Sequence, residues 1–264
     1  MSARSTVRER YPMPPEVEQR LLSESLMDAY AERPPYQRND YLGWIHRAKR
    51  PETREKRVQQ MLMELRDGHG SEGKTTLMEA LLYAAGVTDR QGKVDDGTTV
   101  TDFDPEETKR HISISAAIAP IDWNQKMLNV IDVPGYFDFV GEMMGPLRVV
   151  ETAAILVNAV GGVAVGTEKA WKYASDNHVG KMFIVNQMDR DHADFQKTVA
   201  QIRDMFGNSA VPILLPIGNG PNFKGVVNVL ENKAYASVDK GSKEIPVPAE
   251  MADQIAHEGG MVLR

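Results

Sequence analysis

Apolar positions along the 264-residue chain change texture near Gly68. Before it they recur at helical spacing between prolines, and residues 16–31 read as a helix started by Pro15. A second helix is expected over 39–48, and Pro51 suits the first turn of a third. Within that third helix Val58, Met61, Leu62 and Leu65 stand at i, i+3, i+4 and i+7, a single apolar stripe. Beyond Gly68 the apolar runs are short. Residues 127–131 and 181–185 have strand length, 152–165 reads as a buried strand and turn, and 76–86 reads as a helix. No run reaches the ~20 apolar residues that a membrane-spanning helix requires.

Composition sharpens this only slightly. Hydrophobic residues at 42% and charged residues at 26% are ordinary for a globular chain, so a wholly disordered or fibrous protein is excluded. There is no cysteine, which removes disulfides, thiol nucleophiles and cysteine zinc sites. The net charge of −6 gives no general affinity for nucleic acid, and no direct DNA binding is expected. The start of the chain carries basic residues with no apolar stretch behind them, so no secretory signal and no membrane partner are expected, and a cytoplasmic protein is predicted. Charge is uneven: the first 67 residues hold 13 Lys and Arg against 11 Asp and Glu, the rest 18 against 26. The basic group Arg47, Lys49, Arg50, Arg54, Lys56 and Arg57 is interleaved with Glu52 and Glu55, which fits a solvated helix face better than a nucleic-acid patch.

The chemistry begins at Gly68. Gly68, His69, Gly70, Ser71, Glu72, Gly73, Lys74 and Thr75 spell the complete phosphate-loop pattern, with Thr76 opening a helix. Its glycines let successive N–H groups turn toward phosphate oxygens. Lys74 would neutralise the β- and γ-phosphates, the Thr75 hydroxyl would hold Mg2+, and the helix dipole would add to the anion site. Downstream the 127–131 run ends in Asp132, Val133, Pro134 and Gly135. An Asp at such a strand end can hold Mg2+ through water, and a Gly three residues on can offer its N–H to the γ-phosphate. The 181–185 run ends in Asn186, Gln187, Met188 and Asp189. A carboxylate there accepts two N–H bonds from guanine that adenine cannot supply, which disfavours an ATP or polyphosphate site.

His69 reads as part of the loop's turn and not as a general base. His111, His178 and His192 lack the i, i+4 spacing of a helical metal pair, and the 14 methionines read as core filler. Asp102, Asp104, Glu106 and Glu107 form an acidic cluster in the segment between loop and first strand.

Taken in order, these stretches resemble the elongation-factor-G-like group of translational GTPases over about 68–254. The stretches that carry the likeness are GHGSEGKTTLMEALLYAAG, DGTTVTDFDPEETKRHISIS, NVIDVPGYFDFVGE, VGTEKAW and FIVNQMDRDHADF, and LLPIGNGPNFKGVVNVLENKAYA resembles that group's inserted subdomain. The resemblance implies GTP/GDP and Mg2+ as ligands. Phosphate and metal would fall to Lys74 and Thr75, with Ser113 at the first-switch position that senses Mg2+. Asp132 and Gly135 would form the second switch, and Asn186 and Asp189 would read guanine. It also implies the ribosome as a possible partner. Four positions depart from the group's pattern. Tyr136 replaces the histidine that orients the attacking water, so slow hydrolysis is expected. Gln187 replaces a lysine that covers the guanine ring, Ser71 stands where aspartate is common, and Ser113 replaces threonine while keeping the hydroxyl. Ahead of this, about 11–67 resembles the tail of the YdeI/OmpD-associated, bacteriocin-protection family, through Tyr41, Trp44, Ile45, Ala48, Lys49, Glu52, Thr53, Arg54 and Arg57.

A phosphate loop is normally led by a buried strand. Here residues 59–67 fit a helix better than a strand, with Gly68 as its cap. At the other end, nothing after Val247 supplies the Ser-Ala guanine loop that the resemblance implies, nor the group's ribosome-binding domains. The expected fold is therefore α/β: a three-layer sheet of P-loop NTPase type, incomplete at both ends, with a small α/β insertion and an N-terminal helical segment. The expected domains are 1–67, 68–210 and 211–264. The expected function is Mg2+-dependent GTP binding with slow hydrolysis. The alternative is a non-catalytic, chimeric remnant acting as an interaction module.

Overall fold

The computed structural model describes residues 9–33, 35–66, 73–135, 139–238 and 241–262. The chain divides into two compact units, Met1–Ser71 and Glu72–Arg264.

The first unit is helical. Its helices are α1 (Pro15–Ser23), α2 (Met27–Ala31), α3 (Pro35–His46) and α4 (Pro51–Arg66). The single helix expected over 16–31 is two, because Ser25 turns to a φ of 56° and its N–H closes on the Leu22 carbonyl. The second starts at Pro35, four residues earlier than expected, and ends at His46. The stripe on α4 is the centre of this unit: Val58, Met61, Leu62 and Leu65 are buried, with Val17, Leu21, Trp44 and Ile45. Tyr11 lies across α3 at Gly43, where a Cβ would come within 2.7 Å of its ring. Part of the basic group is used inside the unit. Arg54 pairs with Glu16 at 2.5 Å, and Arg57 donates to the Trp44 carbonyl with its guanidinium over that indole.

The second unit opens with α5 (Lys74–Ala84), followed after a long loop by α6 (Pro105–Arg110). A hairpin of β1 (Ala117–Trp123) and β2 (Lys126–Asp132) turns through Asn124 and Gln125, both at positive φ, as a two-residue hairpin loop requires. Alternate residues of β1, Ala117, Ala119 and Ile121, are buried. Ala119 and Ile121 meet Met78 and Leu82 of α5. A short α7 (Gly141–Met144) leads to β3 (Thr152–Asn158), α8 (Val165–Asp176) and β4 (Gly180–Asn186). The two strands are parallel with α8 as crossover, the connection parallel strands need. Next, α9 (Phe195–Phe206) covers them, its Ile202 packed on Val157 and its Phe206 stacked on Phe183.

An antiparallel sheet of β5 (Leu214–Ile217), β6 (Gly225–Asn228), β7 (Lys233–Ser237) and β8 (Ser242–Ile245) follows, with α10 (Ala252–Val262) against it. Leu215, Val227 and Ala234 meet Met251 and Ile255 there, and Arg203 of α9 bonds Glu258 of α10 at 3.2 Å. After β8 the described chain is helical, so the strand that would carry a Ser-Ala guanine loop does not appear among the described residues.

The expected sheet is present in two pieces. β1 pairs with β2 and β3 with β4, but no bonds join β2 to β3. Residues Pro51–Arg66 form α4 and not a strand. Met127 and Leu128 of β2 are exposed, at 68% and 47%.

Candidate functional site

The start of α5 lies where the ends of the two strand pairs converge. Gly73 precedes it at a φ of +76°, a left-handed conformation that a side chain would strain. A Cβ there would also meet Asn186 Nδ2 at 2.8 Å and lie 3.7 Å from Gln187 Nε2, so Gly73 itself lies against the turn after β4. Lys74 comes next, with Nζ 2.5 Å from where a Gly135 Cβ would stand. The ammonium thus lies close over Gly135, where any side chain would collide with it.

Thr75 completes the first turn. Its Oγ1 donates to Asp132 Oδ2 at 2.9 Å and lies 3.1 Å from Ser113 Oγ. Ser113 Oγ donates to Asp102 Oδ1 at 2.6 Å, and Thr101 Oγ1 donates to Asp132 at 3.3 Å. Asp102 and Asp132 are both buried. Burial pushes both carboxyls above the usual aspartate range. Repulsion adds to this, from Glu107 on Asp102 and from Asp102 on Asp132. The hydroxyls, and Lys74 beside Asp132, act in the opposite sense.

With both carboxylates ionised, the Thr75 O–H points to Asp132 and the Ser113 O–H to Asp102 as hydrogen-bond donors. The 3.1 Å contact between the two hydroxyl oxygens then contains no hydrogen, and their lone pairs face each other. A hard divalent cation relieves that arrangement, and an all-oxygen donor set suits Mg2+. No group of three or more His, Asp or Glu able to hold a metal occurs among the described residues. Mg2+ tolerates this, since it is commonly held by one or two carboxylates with phosphate and water as the remaining ligands.

Ser113 owes its position to Glu107 of α6. That buried carboxylate accepts from the N–H groups of Ile114 at 2.8 Å and Ser115 at 2.9 Å, and closes a capping box with Asp104.

At the other end of the site, β4 ends at Asn186 and Gln187 takes a φ of 61°. Its Oε1 accepts from Asn158 Nδ2 at 2.6 Å, from the residue paired in register with Asn186. Met188 is buried beneath the turn, and Asp189 projects exposed from it. Thr76 is exposed on α5.

Of the residues expected at the site, the structure brings together Gly73, Lys74, Thr75, Ser113, Asp132, Gly135, Asn186 and Gln187. Gly68, His69, Gly70, Ser71, Glu72 and Tyr136 lie outside the described residues. Thr101, Glu107 and Asn158 join them without having been expected at the site; in the sequence Asp102 and Glu107 stand out only as members of an acidic cluster. The three histidines weighed as metal ligands instead occupy turns at positive φ, His111 capping α6 and His178 following α8.

A helix opening on Gly-Lys-Thr, its threonine bonded to the aspartate at the end of β2, defines a P-loop nucleotide-binding domain. Comparison places it further: the family model of the elongation factor Tu GTP binding domain matches residues 67–255, and the chain belongs to that family. A second model, bacteriocin-protection, YdeI or OmpD-associated, matches residues 10–68. Among individual relatives, elongation factor G of Cytophaga hutchinsonii is 40% identical over 194 residues, covering 70% of this chain. Elongation factor G 2 of Streptomyces coelicolor is 40% identical over 190 residues, covering 71%. The chain spans 28% of the length of each of these relatives. A crystal structure of a Thermus thermophilus protein superposes with a TM-score of 0.69 at 35% identity, over 74% of this chain and 29% of that one.

Proposed function

We propose that the chain binds a guanine nucleotide with Mg2+ and hydrolyses GTP slowly, as a translation-related GTPase of the elongation factor G kind. The observation that carries this reading is the Thr75–Asp132 bond beside Lys74 and Gly135. Lys74 would neutralise the β- and γ-phosphates, and the Gly135 N–H would meet a γ-phosphate oxygen. Thr75 and Ser113 would hold Mg2+ directly and Asp132 through water. The ion, when bound, offsets charge on the phosphates. Asn186 and Asp189 would read guanine, with Gln187 beside the ring.

In hydrolysis, water bonds to the γ-phosphorus while the bond to the β–γ bridging oxygen breaks, giving GDP and phosphate. Tyr136 follows Gly135 at the position from which that water would be oriented. A phenol neither accepts a proton nor aligns water as an imidazole does. Turnover is therefore slow. The same reading takes residues 1–67, 68–210 and 211–264 as the domains, the cytoplasm as the compartment and the ribosome as a possible partner.

A second reading is favoured by one observation. α4 is helical up to Arg66, and among the described residues no strand pairing joins β2 to β3. On that reading the chain is a chimeric, non-catalytic remnant acting through its helical head. Single-turnover phosphate release from γ-labelled GTP distinguishes the two. The first predicts slow, Mg2+-dependent release that Asp132→Ala removes. No release with no retained nucleotide would leave the second.

A further inference from the structure

One fully buried carboxylate takes no part in the site just described. Glu79 lies on α5, one turn beyond Thr75, with 0% exposure. Its Oε1 accepts from the Val100 N–H at 2.7 Å and its Oε2 from the Gly92 N–H at 3.2 Å. Both oxygens are thus committed to backbone donors, and no salt bridge to Glu79 occurs among the described residues. Removing this acceptor would leave two N–H groups without it, one of them in a buried bond.

What Glu79 grips is a closed loop. Thr98 N–H bonds the Lys93 carbonyl at 3.1 Å, Lys93 N–H bonds Thr98 Oγ1 at 3.0 Å, and Gly97 N–H bonds the Val94 carbonyl at 3.0 Å. Gly92 is fitted to the grip. A Cβ there would collide with Glu79 Oε2 and lie 2.7 Å from the Thr98 carbonyl. The loop is pinned to α5 at its two ends, 92 and 100. The residues that follow are Thr101, bonded to Asp132, and Asp102, bonded to Ser113. One peptide unit therefore separates the Glu79 anchor from the carboxylate and hydroxyl pairs around Thr75.

We propose that Glu79 is a positioning residue: by holding residues 92–100 on α5 it seats Thr101 and Asp102 against Asp132 and Ser113, and so sets how tightly the nucleotide site takes a divalent cation. The proposal rests on the nucleotide and Mg2+ reading above. α5 and the first-switch segment act as one piece through this carboxylate, while the phosphate contacts of Lys74 do not pass through it.

The test uses the whole chain, unaltered and as Glu79→Gln and Glu79→Ala. A fluorescent GDP analogue is titrated in EDTA and over a Mg2+ series, and amide exchange is followed without nucleotide. Glu79→Ala is expected to leave EDTA affinity within about twofold and to raise the half-saturating Mg2+ concentration about tenfold. Exchange should quicken at Gly92 and over 100–102 and 113–115, but not over the last turn of α5. Glu79→Gln keeps one acceptor oxygen and should fall between. An unchanged Mg2+ requirement with faster loop exchange would make Glu79 merely structural and overturn the proposal. Unchanged loop exchange in both variants would overturn it as well. If the unaltered chain binds no nucleotide at any Mg2+ concentration, the functional reading fails and takes the Mg2+ part with it, a result separate from either of these.

Discussion

Thr75 Oγ1 donates to Asp132 Oδ2 at 2.9 Å, which ties the first turn of α5 to the last residue of β2 across 57 positions of sequence. That bond lies against the direction in which burial drives Asp132. Its carboxyl stands above the usual range, chiefly through desolvation, with Thr75 and Lys74 lowering it in part. An acid whose folded pKa is raised binds more protons folded than unfolded. Stability from this group is therefore fully present below its unfolded pKa and is lost as pH rises through the folded one. In thermal unfolding without nucleotide, Asp132→Asn should raise the midpoint near neutral pH and flatten its decline above about pH 4, the ordinary aspartate value. The comparison with the unaltered protein matters, because Glu16 and Glu55, held low mainly by hydrogen bonds to a backbone amide and to Arg20, contribute the opposite slope. An unchanged pH profile would contradict the assignment to Asp132.

Gly73 is a stricter requirement. At a φ of +76° an alanine costs about 1–2 kcal/mol in the left-handed region. Its Cβ would also press on Asn186 Nδ2. Gly73→Ala should lower stability by roughly that amount while weakening nucleotide binding further, since it displaces both the loop and the base-side turn. Denaturant unfolding and analogue binding together measure the two losses.

Asp189 is exposed on the turn after β4, where its carboxylate would accept two guanine N–H bonds. Asp189→Asn should weaken GDP binding on the order of 10–100-fold, through the loss of one charged hydrogen bond worth about 1.5–3 kcal/mol. It should also favour xanthine nucleotides, whose carbonyl accepts from the new amide. Competition between GDP and XDP reads this directly, and no change in preference would remove Asp189 from base recognition.

In the first unit Met61 has no exposed surface and sits in the middle of the α4 stripe. Met61→Ala should cost about 2–5 kcal/mol of that unit's stability. Far-UV circular dichroism during urea unfolding would show the loss, and a neutral result would contradict the burial of this stripe.

Where local pattern controls the fold, the sequence was sufficient. Val58, Met61, Leu62 and Leu65 announced α4 at helical spacing, and the same spacing explains why the phosphate loop lacks a strand from that segment. Lys74, Thr75, Asp132 and Asn186 were readable because a loop or turn chemistry fixes each to the end of an element. Contacts made with backbone groups leave no such trace. Glu79 binds amides 13 and 21 residues away, and Glu107 binds those of Ile114 and Ser115, so neither partner has a side chain to recognise. Asn158 became visible only through the register that pairs it with Asn186. The break between α1 and α2 falls at a serine with positive φ, a residue that equally serves inside a helix surface.

On the function proposed above, Gly73, Lys74, Thr75, Asp132 and the turn after β4 would form a working guanine nucleotide site although β2 and β3 are unjoined. Equilibrium titration of the whole chain with a fluorescent GTP analogue in Mg2+, alongside Lys74→Ala, tests it most directly. Saturable binding is expected, competed by GDP but not by ATP and lost in the variant. A folded chain with no saturable binding, or binding that Lys74→Ala leaves intact, would contradict it.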